Sequence, residues 1–301
     1  MSYSQAAPLT EARSHFATAV VDGRIYVFGG GGTNFESLAS VEMYDPVTDH
    51  GHPRAPMPAP RTGIAAAARD GKVLVMGGGY RNDDGTFDFK SVVEIYDPVA
   101  DTWENGPSLL QRHDAPAALE HDGHVYLFGG HHPEASGGPL IDPAFDFCEL
   151  LDQDAKNWQE IAPMPTPRFS LVAVAMPDGI WCMGGGAFQN GDFNNLDVIE
   201  VYDPLGSVWG EAPTKLPWGS AGLYAAMHGN ALYVAGGNDG TDITARAACY
   251  IPSANVWEDM PDLPEARVMG AMASVDGELF LMGGRGPDGK SVVDTCYRLD
   301  D

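Results

Sequence analysis

Cysteine is scarce in this chain. Four occur among 301 residues, Cys148, Cys182, Cys249 and Cys296, with no Cys-x-x-Cys and no zinc-type spacing. A disulfide framework and a cysteine-based metal centre are thereby excluded, and the four read as small buried hydrophobes. Positive charge is also scarce: 17 Lys and Arg stand against 42 Asp and Glu, a net charge of −25. Such a surface repels phosphate backbones, which excludes nucleic acid as a partner and favours a basic one. No apolar run approaches the length of a membrane span. Residues 1–13 lack the basic and apolar regions of a signal peptide. The expectation is a soluble, cytoplasmic, acidic monomer with no membrane partner.

Glycine, by contrast, is abundant and regularly placed. A glycine pair recurs at Gly29-Gly30, Gly77-Gly78, Gly129-Gly130, Gly184-Gly185, Gly236-Gly237 and Gly283-Gly284, a period of about 50 residues. Each pair closes a short apolar run such as Ile25-Tyr26-Val27-Phe28. Six residues before most pairs lies a tight-turn dipeptide: Asp22-Gly23, Asp70-Gly71, Asp122-Gly123, Asp178-Gly179 and Asp276-Gly277, with Gly229-Asn230 in the fifth repeat. These residues accept the positive φ of a two-residue hairpin loop. A third strand ends in Tyr44-Asp45-Pro46, Tyr96-Asp97-Pro98 or Tyr202-Asp203-Pro204, and a fourth carries Trp103, Trp158, Trp209 or Trp257. Arg61, Arg168 and Arg267 follow ten residues beyond the tryptophan slot. Cys249 and Cys296 are assigned one slot of two different repeats.

Double glycine, Tyr-Asp-Pro, Trp and Arg in this order resemble the kelch motif. The chain is similar to a kelch-repeat β-propeller over nearly its whole length. The implied fold is all-β: six blades of four antiparallel strands in one domain spanning residues 1–301. The sixth repeat lacks a fourth strand. Residues 2–7 are expected to supply it by pairing at 292–299, with Tyr3 in the Trp slot and Arg13 in the Arg slot. The pattern has departures: Gly51 takes a Trp slot, Leu151 a Tyr slot, His113 an Arg slot, and Trp218-Gly219-Ser220 another.

Residues common to every blade read as scaffold, including Glu42, Glu94, Glu149 and Glu200, which share one slot. Residues peculiar to one blade, in loops at the channel mouth, are the functional candidates. Long loops carry function on rigid scaffolds, and blades 2, 3 and 4 carry the longest. The ligand-binding candidates are His15, Tyr80, Arg81, His131, His132, Phe188, Trp218, Asn238, Asp239 and Arg285. Tyr80, Phe87, Phe89, Phe188 and Phe193 would suit a flat or apolar ligand. The resemblance implies a binding module that takes a peptide, protein or small ligand at the mouth. The alternative is an enzyme there, of epimerase, isomerase or metal-assisted lyase type. Its acid–base candidates are His113, His131, Asp114 and Glu134. No cofactor is expected; a divalent metal on His113, His131 and His132 is the alternative.

Overall fold

The structure, a computed structural model, describes residues 1–300 except 35, 135–143, 155 and 190–191, and only the backbone of Gln189. Blade 1 is a four-stranded antiparallel meander of Ala17–Val21, Arg24–Phe28, Val41–Asp45 and His50–Arg54. Blades 2 to 5 repeat the pattern, with innermost strands Ala65–Arg69, Ala117–His121, Val172–Met176 and Tyr224–His228. Blade 6 takes Ala271–Val275, Glu278–Met282 and Cys296–Asp300 from the C-terminal end and Ser2–Ala6 from the N-terminal end. The innermost strands pack in sequence order, and blade 6 returns to blade 1. Blade 3 therefore stands opposite blade 6.

The ring closes as the repeat requires. Ser2 pairs with Asp300 and Ala6 with Cys296, antiparallel. Tyr3 lies opposite Leu299, as Trp257 lies opposite Tyr250 in blade 5. This register corrects one assignment. In blade 6 the tyrosine slot is held by Leu299, and Tyr297 occupies the glutamate slot. Cys296 is therefore equivalent to Ala247, not to Cys249. Tyr297 imitates the repeat tyrosine because the final loop is two residues longer than the spacing suggests. All four cysteines are buried free thiols. Burial raises the thiols of Cys148 and Cys182, so both stay inert.

Turn chemistry follows the residues present. Asp22 and Gly23 both have positive φ, 47° and 69°, as a type I′ turn needs. In blade 4 the loop shifts to Pro177-Asp178, with Met176 paired to Gly179. Proline cannot adopt positive φ, so type I′ is closed to it. The repeat glycines meet backbone: a Cβ on Gly129 (φ +60°) would lie 2.6 Å from the Arg168 carbonyl oxygen.

The core lies between blades. Phe28 of blade 1 meets Trp103 of blade 2 edge to face at 5.9 Å, beside Tyr96. Each repeat tryptophan also donates its indole N–H to the segment leaving the previous blade. Trp103 reaches the Ala55 carbonyl at 3.0 Å, and Trp158 that of Pro107 at 2.8 Å. Large rings thus bury area and find a polar partner together.

The arginine slot binds each blade to its entry loop. Arg168 donates to the Gly184 carbonyl and, at 2.6 Å, to Glu200; both residues are buried. Arg61 makes the same contacts with Gly77 and Glu94. In blade 6 the partner is Tyr297, whose ring lies 4.8 Å beneath the Arg267 guanidinium. In blade 5 both charges are gone: Ala248 occupies the glutamate slot, and the Trp218 indole N–H and the Ser220 hydroxyl cap Gly236.

Candidate functional site

Two residues beyond the arginine slot, every blade contributes one backbone unit to a closed ring. His15 N–H donates to Met269, Gly63 to His15, Ala115 to Gly63, Ser170 to Ala115, Gly222 to Ser170 and Met269 to Gly222. The distances are 2.7 to 2.9 Å. All six residues have φ between 52° and 66°, and four of them are not glycine. Left-handed backbone costs a non-glycine residue about 1–2 kcal/mol, so the ring is held by its surroundings. Beneath it the channel narrows to an apolar neck of 110 Å³ with Phe16, Ile64, Pro116, Leu171 and Leu223 in its wall. Above it opens a cavity of 450 Å³.

The cavity wall comes from two further slots. The residue after the arginine slot bridges to the residue after the glycine pair in each blade: Ser14 with Gly31, Thr62 with Gly79, Asp114 with His131, Phe169 with Gly186, Ala221 with Asn238, and Val268 with Arg285. Blades 2 and 4 extend this rim with short hairpins, Gly79–Arg81 paired to Phe87–Phe89 and Gly186–Gln189 to Asp192–Asn195. The corresponding loop of blade 3 includes residues 135–143, which lie outside the described residues.

On the blade 3 side, Asp114 Oδ2 lies 2.8 Å from His131 Nδ1. The carboxylate is nearly buried over Gly63, where a Cβ would fall 2.1 Å from Asp114 Oδ1. The His131 ring stacks on Phe169 at 4.0 Å and on Phe89 at 5.8 Å, from the blades on either side. Phe169 continues to Phe193, and Phe193 to Phe188, giving an aromatic band across blades 2 to 4. On the opposite side Arg285 Nε donates to Ser14 Oγ at 3.2 Å, and its Nη1 donates to the Gly289 carbonyl. Ser14 Oγ also lies 3.1 Å from His15 Nδ1. Burial first, then the charges of Arg285 and His131, pushes His15 down to about 3. His15 lines both the cavity and the neck beneath it, where the surrounding protein disfavours the charged ring.

The structure thus brings His15, Asp114, His131 and Arg285 to one cavity. Other candidates stand elsewhere. His113 is fully buried, with Nδ1 2.6 Å from the Gly129 carbonyl and Nε2 3.0 Å from Glu149. It performs the arginine's task in blade 3 and does not face the mouth. Trp218 is likewise buried scaffold, stacked under Arg246 at 4.6 Å. His132 packs on Phe145, and its Nδ1 accepts the Glu134 N–H, leaving Glu134 exposed on the loop. The three histidines do not converge. Among the described residues no three His, Cys, Asp or Glu are placed to hold a metal. Asn238 accepts from Asn195 of blade 4, and Asp239 caps its own turn at Thr241 and Asp242. Tyr80 and Arg81 lie exposed on the blade 2 hairpin, and Phe188 packs on Phe193.

Sequence reasoning passed over Thr62, Phe169, Ser170 and Met269 in the cavity wall. The signal was available. They fill the two slots after the arginine position, the same slots that supply Asp114 and His15.

Comparison with known proteins bears on the repeat and the fold. The family profile described as Kelch motif matches residues 12–58, 60–110 and 225–264. Kelch-like protein 23 of Homo sapiens is 26% identical over 282 residues, 94% of this chain and 46% of that protein. Beta-scruin of Limulus polyphemus is 32% identical over 198 residues, 63% of this chain and 21% of that protein. The chain spans less than half the length of these relatives. The solved structure of YjhT superposes with a TM-score of 0.78 at 19% identity, over 97% of this chain and 96% of that one. At that identity the likeness concerns the fold.

Proposed function

The chain belongs to the kelch-repeat β-propellers, and on that premise we propose that it is a binding module whose recognition site is the mouth cavity. The observation that carries the reading is the cavity itself: 450 Å³, narrowed below at the backbone ring, with phenylalanines and a set of polar side chains in its wall. Concave apolar sites with a few fixed polar groups are the usual form of a small-ligand site. The fitting occupant is a flat group, either a small molecule or one side chain of a protein partner. Phe169 and Phe87 offer it apolar ring surface, and Arg285 and His131 offer polar groups for its polar end. The net charge of −25 draws basic surfaces to the rim, whereas inside the cavity Arg285 offers a positive group on the wall opposite the Asp114–His131 pair, and acid beyond about 8 Å is screened.

Ligand-observed NMR with a mixture of flat aromatic acids, amines and amides tests this reading. Aromatic acids should bind, and Phe169→Ala should weaken them by about 2 kcal/mol, roughly 30-fold. Hits that bind the variant and the parent equally would place recognition away from the mouth.

A further inference from the structure

Asp114 and His131 form more than a contact between neighbours. Nδ1 faces the carboxylate at 2.8 Å, which assigns the proton to Nδ1 and the lone pair to Nε2. Nε2 has no hydrogen-bond partner among the described residues, and the ring is part of the cavity wall. Its plane is fixed by Phe169 and Phe89. Gly63 is needed to seat the carboxylate, since any Cβ there would displace it. A base held by a carboxylate on one nitrogen and open on the other is the arrangement that proton transfer requires.

The opposite wall supplies what a base alone would lack. His131 and Arg285 occupy the same slot, after the glycine pair, of blades 3 and 6, so they face each other across the channel axis. The guanidinium is held by Ser14 and Gly289. Arg285 lies close enough to act on His15, which stands between the two on the ring. A cation fixed in advance in an enclosed site stabilises negative charge that develops on a bound oxygen.

We propose that the mouth carries an acid–base site for planar, anionic carbon acids, compounds with a C–H beside a carbonyl, of which an aryl 2-keto acid is the simplest. The proposal rests on the mouth being a binding site. The aryl ring lies along the Phe169 and Phe87 side of the cavity, and the carboxylate and ketone oxygens turn to Arg285. His131 Nε2 removes the proton from the carbon beside the ketone: the C–H bond breaks and an N–H bond forms. The released electron pair makes the carbon–carbon double bond, and the carbonyl π pair moves onto oxygen as an enolate. The imidazolium then returns the proton to that oxygen. The net change is keto to enol, and nothing is oxidised or reduced. His131 is the catalytic residue, Asp114 a positioning residue and Arg285 the anion partner.

The test uses two probes on the full chain. Benzoylformate, which has no hydrogen beside its ketone, reports binding alone by calorimetry. Phenylpyruvate in D2O reports loss of its benzylic C–H signal by NMR, against a protein-free control. Benzoylformate should bind, and the protein should accelerate phenylpyruvate exchange. His131→Gln should lower that acceleration by about 100-fold or more while benzoylformate affinity stays within a few-fold. Free imidazole should restore part of the rate in His131→Ala. Asp114→Asn should lower kcat with KM little changed, a split that simple loss of stability does not produce. If benzoylformate binds but exchange equals the control, or is unchanged in His131→Gln, the acid–base site is refuted and the binding site stands. If benzoylformate does not bind, this substrate class is refuted, and the binding reading is left to the fragment result.

Discussion

His15 sits in the hydrogen-bonded ring with φ +53°, beside the Ser14–Arg285 contact at the cavity wall. Its ordinary value near 6.5 falls to about 3 in the folded protein, mainly through burial. Between those two values the unfolded chain binds a proton that the folded chain refuses. The contribution of His15 to stability is therefore complete above about pH 6.5 and is lost as pH falls toward 3. Asparagine tolerates the left-handed backbone and carries no titrating group. His15→Asn should lie within about 1 kcal/mol of the parent at pH 7, where the principal loss is the bond to Ser14. From pH 7 to pH 4 the variant should lose less stability than the parent in urea titrations. Parallel losses in the two proteins would contradict the burial of this ring. Such a residue is hard to rank from sequence: glycine, alanine, serine and methionine share its slot, and only the closed ring reveals the crowding.

At the scale of the blade, one task is done by different chemistry. The first carbonyl of the glycine pair needs a donor, and the buried glutamate beside it needs a partner. Arg61 and Arg168 meet both needs. His113 meets both with its two ring nitrogens, whereas blade 5 dispenses with the charge at both ends. His113→Ala should then destabilise the protein by about 2–3 kcal/mol, because it takes the donor from the Gly129 carbonyl and leaves the buried Glu149 with only the Leu110 and Gln111 N–H groups. His113→Arg should cost far less, since the slot accommodates arginine in four other blades. Thermal unfolding of the two variants checks the ordering, and equal losses would mean that the slot does not act as a unit. The same substitution pattern explains how far the sequence could be read. Repeated positions constrain one another, so the blades, the closure at Tyr3 and the scaffold role of the glutamates were legible. Tyr297 misled because a cation–π contact put a tyrosine where blades 1 to 4 have glutamate. The site was half legible: His15, Asp114, His131 and Arg285 stood out as blade-specific polar residues in mouth slots. Phe169 did not, because an apolar residue beside a strand end reads as packing until its neighbours are placed. His113 stood out for its type, but its side chain direction is fixed by the slot it fills.

Closure of the whole ring rests on five residues from the far end of the chain. Ser2–Ala6 covers the outer edge of Cys296–Asp300, and Ser4 Oγ donates to Asp300 at 3.0 Å. Tyr3 packs against blade 5 beside Leu263 and Leu299, and Ala6 is buried in the core between blades 6 and 1. Beyond the strand, Leu9 is buried at 2% exposure, and its N–H donates to the Asp294 carbonyl. The Ala7 N–H donates to Asp49 of blade 1 at 2.8 Å. The segment thus holds the last blade to the first. Deleting residues 1–8 exposes a strand edge and removes the Tyr3 and Ala6 contacts, while the innermost strands and the cavity wall remain. Burial of a large side chain contributes about 1.5–3 kcal/mol, so the loss should be a few kcal/mol and Tm should fall by several degrees. The open edge should also promote association at high concentration, visible as a shift in light scattering that urea below the unfolding transition reverses. The cavity wall is built from His15, Arg285 and residues of the other blades and takes nothing from residues 1–8, so fragment binding measured well below the new Tm should survive the deletion. An unchanged Tm would show that the ring holds without its terminal strand, and the covalent order of the blades would then suffice to close it.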